Sequence, residues 1–442
     1  MILVYGLKKS GLSIKKLLEK KNQSFKIWDD DKSLIKKLKK NIDKNLFLQK
    51  VNLNKFEKIF VSPGISIRQN KFTKLKKPNR IQRDLNLYLD NLTNQYVIAI
   101  TGTNGKSTTT KLIGDMLKKR KISTFVGGNI GKPLCNAYIK RIKFNYHVIE
   151  LSSFQLETVK NFHPNISIIT NLSIDHLDRY KNINDYINQK KKIITNTGIN
   201  LISIDDVYSK KIFLQKKINN KINFSILDKK ADVYIGKNYI LDNFFNKNKK
   251  IFIKNLSIDL EGHYNKQNIV ISYICSKILK IPENIFLYSI KNFEGLPYRS
   301  NLVFENKKLK IINNSKSTNL NSTINSIKNY EKIYLIMGGI AKEENFKRSL
   351  SLYANKIKYV YLYGKSGLMI EKNLGKKFII KRFANLKQVV KQIFLDLNLN
   401  KIQSTILFAP ACSSYDQYIN FEKRGEEFNN LIKKYLKSYA IS

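Results

Sequence analysis

Short apolar runs alternate with amphipathic stretches along the chain, which is typical of an α/β protein. The opening run ILVYG is followed by LKKSGLSIKKLLEKKN and then by FKIWDDD, a pattern that predicts a strand, a glycine-containing turn, a helix and a second strand. The alternation returns with YVIAI, and later with LKIIN, KIYLIMGG, YVYLYG and STILFAP. Because such alternation builds parallel sheets, we expect successive α/β units.

The chain has 442 residues, which is too long for one compact core. A turn at Ser62-Pro63-Gly64 leads into a helical stretch that ends near Leu92, and a second turn lies at Gly295-Leu296-Pro297. Between them, residues 199 to 260 read as short strands joined by Lys and Asn turns, with a helix from about Asn265. We therefore expect three domains, at residues 1–92, 93–296 and 297–442.

The first turn carries a weak signal for phosphate binding. Gly6 and Gly11 flank it, so its backbone amides could meet a phosphate at the start of the helix, and Asp29 ends the second strand where a sugar or base could be read. The spacing is not the standard dinucleotide fingerprint, and Lys8 and Lys9 occupy positions that favour small residues. A turn that only packs is an equally good interpretation.

The second predicted unit carries a strong signal, because YVIAI runs directly into TGTNGKSTTTKLIGDMLKK. Gly102 and Gly105 would let the backbone approach phosphate oxygens, and Lys106 supplies a cation. Ser107 or Thr108 can offer a hydroxyl to magnesium at the start of the helix. Two residues separate the glycines where the generic loop has four. The run therefore predicts a shortened phosphate-binding loop.

Two further predicted strands end at polar residues. YHVIEL ends at Glu150, and ISIITNLSIDH is predicted to extend to Asp175 and His176. One carboxylate such as Glu150 suffices for a magnesium ion beside a triphosphate, whereas a single histidine is more often structural. We expect the lysines at 190–192 to form a solvated helix face. In the third unit Lys316, Lys342 and Ser414 should fall on one edge of a sheet.

Composition excludes several classes of protein. Hydrophobic residues make up 42% of the chain, which excludes global disorder, and no apolar run approaches the ~20 residues of a membrane-spanning helix. The N terminus has no basic segment before its apolar run, so it predicts a strand, not a secretory signal, in a cytoplasmic protein. The widely spaced Cys135, Cys275 and Cys412 fit reduced thiols.

The charge is strongly positive, with 81 basic against 33 acidic residues and a formal net charge of +48. Nucleic-acid binding is the first hypothesis for such a chain. The lysines, however, are spread along the sequence beside abundant Asn and Ile, as biased genome composition would also produce, and no nucleic-acid-binding motif appears. The positive field would still attract anionic substrates.

Seven stretches in a fixed order resemble the Mur ligases of peptidoglycan synthesis: AITGTNGKSTTT, GGNIGKPL, VIELSSFQLE, NLSIDHLDRY, GLPYR, NSKSTN and PACSSYDQYINFEKRGEEF. The resemblance covers essentially the whole chain, and SSFQLE with SSYDQYINFEKRGEEF resembles the D-glutamate-adding members. It implies an N-terminal Rossmann-like domain for a UDP-linked substrate, a central P-loop ATPase-like parallel sheet and a C-terminal Rossmann-like domain for the amino acid.

The resemblance also implies an activity. The carboxylate of UDP-N-acetylmuramoyl-L-alanine would attack the γ-phosphate of ATP in the presence of Mg²⁺, and the amine of D-glutamate would then displace phosphate from the acyl phosphate. Such ligases would work as cytoplasmic monomers without nucleic acid or membrane. Lys106 would help to offset the repulsion between the anionic reactants.

Matched position by position, the resemblance assigns roles to individual residues. The ATP phosphates would be bound by Gly102, Thr103, Asn104, Gly105, Lys106, Ser107, Thr108 and Thr109, and the nucleoside by Asn268, Arg299 and Asn314. Catalysis would rest on Lys106, Glu150, His176 and Lys190, with Ser107, Glu150, His176 and a carbamylated Lys190 near magnesium. The UDP substrate would contact Lys9, Ser10, Asp29, Ser62, Gly64, Asn129, Ser152 and Gln155. D-glutamate would contact Lys316, Thr318, Lys342, Ser414 and Phe421.

The sequence departs from the family pattern at several positions, and three alternatives stay open. Asn314 replaces a usual aspartate, Tyr264 and Tyr298 stand where histidines are common, and Ile340-Ala341 replaces Asp-Gly. The alternatives are another Mur ligase or a folate polyglutamate synthase, a nucleotide-dependent nucleic-acid-binding protein, and a degenerate ligase that binds the UDP-sugar without turnover. The SSYDQ segment argues against both another Mur ligase and a folate polyglutamate synthase.

Overall fold

The computed structural model describes residues 1–177, 179–262, 265–342, 345–397 and 404–439; Tyr264 lies outside them. The chain divides into two compact units. One comprises Met1–Lys254 with Gln267–Lys291, and the other comprises Asn255–Lys266 with Asn292–Ser442. The first unit contains two sheets and the second contains one.

The N-terminal sheet is parallel and has the strand order β2-β1-β3-β4. Apolar residues spaced three or four apart, such as Ile14, Leu17 and Leu18, turn the first helix toward Val4 and Phe60 of this sheet. The elements are β1 (Ile2–Tyr5), α1 (Lys9–Lys20), β2 (Phe25–Trp28), α2 (Lys32–Leu38), β3 (Lys58–Val61), α3 (Asn70–Thr73), β4 (Ile81–Gln82) and α4 (Asp84–Leu89).

The central sheet has the order β13-β12-β11-β10-β9-β8-β5-β7-β6, parallel from β6 through β11 and antiparallel from β11 to β13. Strand β5, which lies between β8 and β7, is buried, as the continuous apolar run predicts. The elements are β5 (Tyr96–Thr101), α5 (Lys106–Lys119), β6 (Thr124–Gly128), α6 (Asn136–Ile139), β7 (Tyr146–Glu150), α7 (Ser153–Leu156), β8 (Ile166–Ile169), α8 (Ile183–Lys191), β9 (Ile199–Ser203), α9 (Val207–Phe213), β10 (Lys221–Ser225), β11 (Val233–Ile235), β12 (Tyr239–Asp242), β13 (Lys249–Phe252), α10 (Asn265–Ile278) and α11 (Glu283–Lys291).

The C-terminal sheet has the order β14-β15-β19-β16-β17-β18, parallel except for the edge strand β14, and apolar clusters cover both faces. The elements are β14 (Asn301–Glu305), β15 (Leu309–Asn313), α12 (Leu320–Ile327), β16 (Ile333–Gly338), α13 (Phe346–Leu350), β17 (Ile357–Tyr363), α14 (Gly367–Leu374), β18 (Ile380–Phe383), α15 (Leu386–Asp396), β19 (Ser404–Phe408) and α16 (Phe421–Tyr439).

The predicted fold class is confirmed, with two corrections of detail. β8 ends at Ile169 and does not continue to His176, because Thr170 Oγ1 donates to the carbonyl of Asn104 at 2.6 Å and the chain becomes a loop there. The edge strands β14 and β18 escaped prediction because edge position leaves them half exposed and short. The domain boundaries at 92 and 296 stay a prediction. No helix among the described residues is long and apolar enough to cross a membrane.

Candidate active site

The glycine loop that joins β5 to α5 has a backbone that only glycine tolerates at two positions. Gly102 has a φ of +139°, and a Cβ there would lie 2.0 Å from Thr170 Oγ1. Gly105 has a φ of +83°, and a Cβ would lie 2.5 Å from Asn268 Oδ1. The loop therefore passes close to its neighbours and presents backbone amides at the N terminus of α5, which is the geometry that binds phosphate oxygens.

The cation of the loop is held over the loop itself. Lys106 Nζ donates to the carbonyl oxygens of Gly102 at 2.9 Å and of Thr103 at 2.7 Å. The ammonium thus lies beside the backbone that would contact an anion, at the start of α5. A cation fixed at this place can offset the charge of bound phosphate groups.

Glu150, at the end of β7, joins two other predicted site residues. Its carboxylate accepts a hydrogen bond from Ser107 Oγ at 2.5 Å and another from Asn129 Nδ2 at 2.8 Å. Ser107 is buried in the first turn of α5, whereas Asn129 is exposed. β5 and β7 are adjacent parallel strands, so their carboxyl ends bring the loop and the carboxylate together.

Lys190 on α8 is buried, which contradicts the expectation of a solvated lysine face. Its Nζ donates to the carbonyl of Gly102 at 2.6 Å and lies 4.8 Å from the centre of the Tyr186 ring. Burial lowers the pKa of Lys190 well below its ordinary value, and the cation of Lys106 lowers it further. Lys192 also contacts the protein, because its Nζ donates a hydrogen bond to the carbonyl of Glu157 at 2.7 Å. Tertiary packing therefore uses lysines that their local sequence predicts to be solvated.

His176 adopts a left-handed backbone conformation with a φ of +55°. Its ring packs edge-on against Phe154, with 4.8 Å between ring centres, and its Nε2 lies 3.6 Å from Asp175 Oδ2. The ring also lies 6.2 Å from the Tyr186 ring that Lys190 contacts. His176 and Lys190 therefore share one aromatic neighbour.

The oxygen donors beside the loop fit a magnesium ion. Ser107 Oγ and the Glu150 carboxylate are hydrogen-bonded neighbours, and Mg²⁺ takes a hydroxyl and one carboxylate together with phosphate oxygens and water. Across the described ranges, no group of three or more His, Cys, Asp or Glu residues has the geometry of a metal site. An ion held here would thus depend on few protein oxygens.

Neighbouring side chains fix the rest of the loop, and three of them, Asn171, Gln267 and Asp205, were not singled out from the sequence. Asn171 accepts from the amide of Asn104 at 3.0 Å and donates to Gln267 at 3.0 Å, and Gln267 donates to Asp205 at 2.8 Å. Asn268 Oδ1, next in the chain, accepts from Thr109 Oγ1 at 3.0 Å. Thr108, beside Thr109 in the first turn of α5, is half-buried. The start of α10 therefore braces both ends of the phosphate loop.

The predicted UDP-substrate residues of the N-terminal sheet gather where β1, β2 and β3 end. Ser62 Oγ donates to the carbonyl of Gly6 at 2.7 Å, and a Cβ on Gly11 would lie 1.7 Å from that same oxygen. Asp29 is buried and accepts from the amides of Leu7 at 2.6 Å and Asp31 at 2.9 Å. Packing alone therefore requires glycine at position 11, and Gly6 has a φ of +92°, which also favours glycine. Lys9 and Gly64 are exposed and Ser10 is half-buried.

Ser152 and Gln155 form the N-terminal cap of α7. Gln155 Oε1 accepts from the Ser152 amide at 3.1 Å, and Ser152 Oγ accepts from the Gln155 amide at 3.3 Å. Gln155 Nε2 donates to Asp84 Oδ2 at 3.1 Å, and burial raises the pKa of that carboxyl to about 6. Both polar ends of the Gln155 side chain thus have protein partners, and its contact with substrate stays a prediction.

In the second unit the predicted D-glutamate residues follow the carboxyl ends of three adjacent parallel strands. Lys316 follows β15, Lys342 follows β16 and Ser414 follows β19. Lys316 Nζ lies 4.1 Å from the centre of the Phe421 ring at the start of α16. Lys342 and Thr318 are half-buried and Ser414 is buried. The topology therefore collects these residues at one edge of the sheet.

Arg424 is a buried residue of this edge that the sequence analysis did not single out, although it lies within the FEKRGEEF stretch. It donates to the carbonyl oxygens of Ser315 at 2.7 Å, Cys412 at 3.0 Å and Gly338 at 3.3 Å. It thus ties together the segments that follow β15, β16 and β19. A charged residue in an amphipathic helix gives no local signal of such burial.

The two remaining nucleoside candidates also belong to the second unit. Asn314 is buried. Its backbone N–H donates to the Phe408 carbonyl at 2.8 Å, and its side-chain Nδ2 donates to Ser326 Oγ at 2.6 Å. Arg299 is half-buried. Asn268, the third candidate, belongs to the first unit.

These features define a class first: an α/β protein with a phosphate-binding loop between a parallel strand and a helix. A family model described as the Mur ligase middle domain matches residues 100–276. A UDP-N-acetylmuramoylalanine–D-glutamate ligase of Rickettsia bellii is 36% identical over 442 residues, which cover 97% of this chain and 96% of the relative. The chain belongs to the Mur ligase family.

Solved structures of this family share the fold. The UDP-N-acetylmuramate-alanine ligase MurC of Thermotoga maritima has a TM-score of 0.62 at 19% identity and covers 99% of both chains. The MurF ligase of Thermotoga maritima, solved in complex with ADP, has a TM-score of 0.62 at 17% identity and covers 98% of this chain and 95% of its own.

Proposed function

We propose that the protein joins D-glutamate to UDP-N-acetylmuramoyl-L-alanine at the expense of ATP, through an acyl phosphate, in peptidoglycan precursor synthesis. The observation that carries the proposal is the match, over nearly the whole chain, to a ligase named for this reaction. The arrangement of Lys106, Ser107, Glu150 and Lys190 around one glycine loop supports it, because phosphoryl transfer needs positioned donors and cations.

The charges at the loop suit the first step. A carboxylate that attacks a triphosphate meets an anion, so the reaction needs fixed positive charge where the two approach. Lys106 supplies a cation beside the loop carbonyls, and the amides at the start of α5 would hold the phosphate oxygens. We assign the loop residues 102–109 to the phosphates and Asn268, Arg299 and Asn314 to the nucleoside.

Ser107 and Glu150 would hold a magnesium ion, which supplies charge neutralisation of the phosphates. We place His176 and a carbamylated Lys190 at a second position. Lys190 is buried beside the loop, and a carbamate would turn this cation into an oxygen donor that a hard metal accepts. Glu150 would then keep its bonds to Ser107 and Asn129 as the device that orients its carboxylate.

The two substrates would be bound at the other strand ends. We assign the UDP substrate to Lys9, Ser10, Asp29, Ser62, Gly64, Asn129, Ser152 and Gln155. D-glutamate, with two carboxylates, would meet the lysines at 316 and 342 together with Thr318, Ser414 and Phe421. We propose domains at 1–92, 93–296 and 297–442, with Asn129, Ser152 and Gln155 as UDP-substrate residues from the central domain.

We place the reaction in the cytoplasm and assign the enzyme as a monomer without a nucleic-acid partner. Cys135, Cys275 and Cys412 are buried free thiols, as a reducing compartment favours.

The deciding experiment measures phosphate release from Mg-ATP with UDP-N-acetylmuramoyl-L-alanine, in parallel with D-glutamate, L-glutamate, L-lysine or no amino acid. We expect release that needs both the UDP substrate and D-glutamate. Release with another amino acid would reassign the specificity. Substrate binding without release would favour a degenerate ligase, and Asn314→Asp would then test whether the missing carboxylate is responsible.

A further inference from the structure

Three buried charged residues, Arg83, Glu157 and Arg179, form an ionic cluster in the first unit. Their side chains are 0%, 4% and 9% exposed. Arg83 directly precedes α4, Glu157 directly follows α7, and Arg179 lies three residues after His176. The cluster therefore joins three segments that are distant in sequence.

Both arginines hold the segment that follows β3. Arg83 Nη1 donates to the carbonyl oxygens of Val61 at 3.0 Å, Ser62 at 2.8 Å and Ile65 at 3.0 Å. Arg179 Nη2 donates to the same Ile65 oxygen at 3.0 Å. This segment, residues 61–65, contains Ser62 and Gly64 of the proposed UDP-substrate site. Two guanidinium groups thus bind the backbone carbonyl groups of this segment.

Glu157 places one carboxylate oxygen between the two arginines. Oε2 accepts from Arg83 Nη2 and lies 3.4 Å from Arg179 Nη2. Without the carboxylate two cations would face each other in a buried place, where like charges repel strongly. Removal of one partner from such a cluster leaves an uncompensated charge.

Arg179 also contacts His176 and its aromatic neighbour. The Arg179 amide donates to the His176 carbonyl at 3.0 Å, and the guanidinium carbon lies 3.8 Å from the centre of the Phe154 ring. That ring packs edge-on against the His176 imidazole at 4.8 Å. A continuous set of contacts therefore runs from residues 61–65 to the imidazole beside the phosphate loop.

We propose that Arg83, Glu157 and Arg179 are positioning residues. They hold residues 61–65, where the UDP substrate would bind, at a fixed position relative to His176. The inference rests on the proposed function for the identity of the ligand. A purely stabilising cluster would lower the melting temperature when it is changed, but it would leave the affinity of the folded protein for substrate unaltered.

The test uses Glu157→Gln, which keeps the shape of the side chain and removes its charge. We expect the Kd for UDP-N-acetylmuramoyl-L-alanine, measured by calorimetry without ATP, to rise about tenfold, and the KM for ATP to change less than twofold. The reason is that the phosphate loop keeps its own contacts, while the two arginines that hold residues 61–65 lose the carboxylate between them. The double variant Glu157→Gln with Arg179→Met should recover part of the lost affinity, because the two cations no longer face each other.

The matched control is Tyr273→Phe, which removes a buried hydrogen bond to Asp242 elsewhere in the same unit. It should lower the melting temperature and leave the Kd unchanged. A Glu157→Gln protein that melts earlier but binds substrate within twofold of wild type would overturn the inference. If Glu157→Gln does not fold, Arg179→Met decides: kcat lowered at least tenfold with His176 otherwise intact supports the inference, and unchanged kcat overturns it.

The same measurements separate this inference from the proposed function. A wild type that binds the UDP substrate but releases no phosphate with D-glutamate would contradict the proposed function, while the tenfold change in Kd would still support the cluster's role. A wild type without affinity for the UDP substrate would overturn both.

Discussion

Replacement of Lys106 by alanine tests the phosphate loop most directly. The ammonium lies 2.7 Å from the carbonyl of Thr103 and 2.9 Å from that of Gly102, so the protein's own carbonyl groups fix it at the loop. A donor that needs no reorganisation acts mainly on the charge that develops in the transition state. The substitution should therefore lower kcat more than it raises the KM for ATP.

The magnitude follows from the chemistry of the site. Loss of one preorganised donor to a developing anion costs about 10² to 10³ in kcat, or roughly 3 to 4 kcal/mol. Lys106 carries a full charge in a half-buried position, so we expect the upper end, a fall of about 10³. The backbone of the loop keeps its shape through Asn171 and Thr170, which argues against collapse as the cause of the loss.

The assay is D-glutamate-dependent phosphate release with saturating ATP. The control is Lys111→Ala on the same helix, where Lys111 pairs with Asp115 at side-chain exposures of 27% and 34%. A partly exposed i,i+4 pair of this kind contributes little, so the control should keep activity within about threefold. Near-normal turnover by Lys106→Ala would refute the assignment of the loop as the phosphate site.

Three further predictions concern other parts of the first unit. Lys190→Ala should lower turnover about 100-fold or more, and added formate or acetate should partly restore it, since a small carboxylate can replace the oxygens of the proposed carbamate. Lys191→Ala is the control, and an unimpaired Lys190→Ala would exclude the proposed carbamate. Gly102→Ala should abolish activity, because its Cβ would lie 2.0 Å from Thr170 Oγ1, whereas Gly367→Ala, whose Cβ would come no closer than an ordinary 3.4 Å to Arg382 Cδ, should remain active. Burial lowers the pKa of His147 to about 4. Between pH 4 and ~6.5 the imidazole is therefore protonated in the unfolded chain but not in the folded one, so the free energy of unfolding decreases as the pH is lowered through this range. Denaturant unfolding should be measured at pH 7 and 4.5 in wild type and His147→Gln. The free energy of unfolding should drop by about 2 to 3 kcal/mol less in the variant, and equal drops in the two proteins would contradict a buried neutral imidazole.

Much of the architecture was predictable because its signals are local. Strands β1, β5 and β7 are short apolar runs, and each meets a helix with apolar residues on one face. The phosphate loop is also local, since strand, glycines, lysine and serine follow one another within a dozen residues. β8 was predicted too long because Thr170 and Asn171 follow its apolar run without a turn signal. Their side chains instead donate hydrogen bonds to the carbonyl of Asn104 in the glycine loop.

The site residues that escaped prediction, or were predicted wrongly, depend on contacts distant in sequence. Lys190 reads as solvated in its run of lysines, but its ammonium meets the carbonyl of Gly102, 88 positions earlier. Arg424 contacts Ser315, 109 positions away, and Arg83 contacts Glu157, 74 positions away. Residue type and local periodicity carry no record of such partners.

The sequence by itself therefore determined the α/β class, the position of the phosphate loop and the family, because each depends on consecutive residues. The tertiary structure decided which charges are buried. It placed Glu150 against Ser107 and Asn129, Lys190 beneath the loop, and Arg83 beside Glu157. A buried charge is stable only with a partner of the right geometry, and the packing of distant strands and helices alone brings that partner within reach.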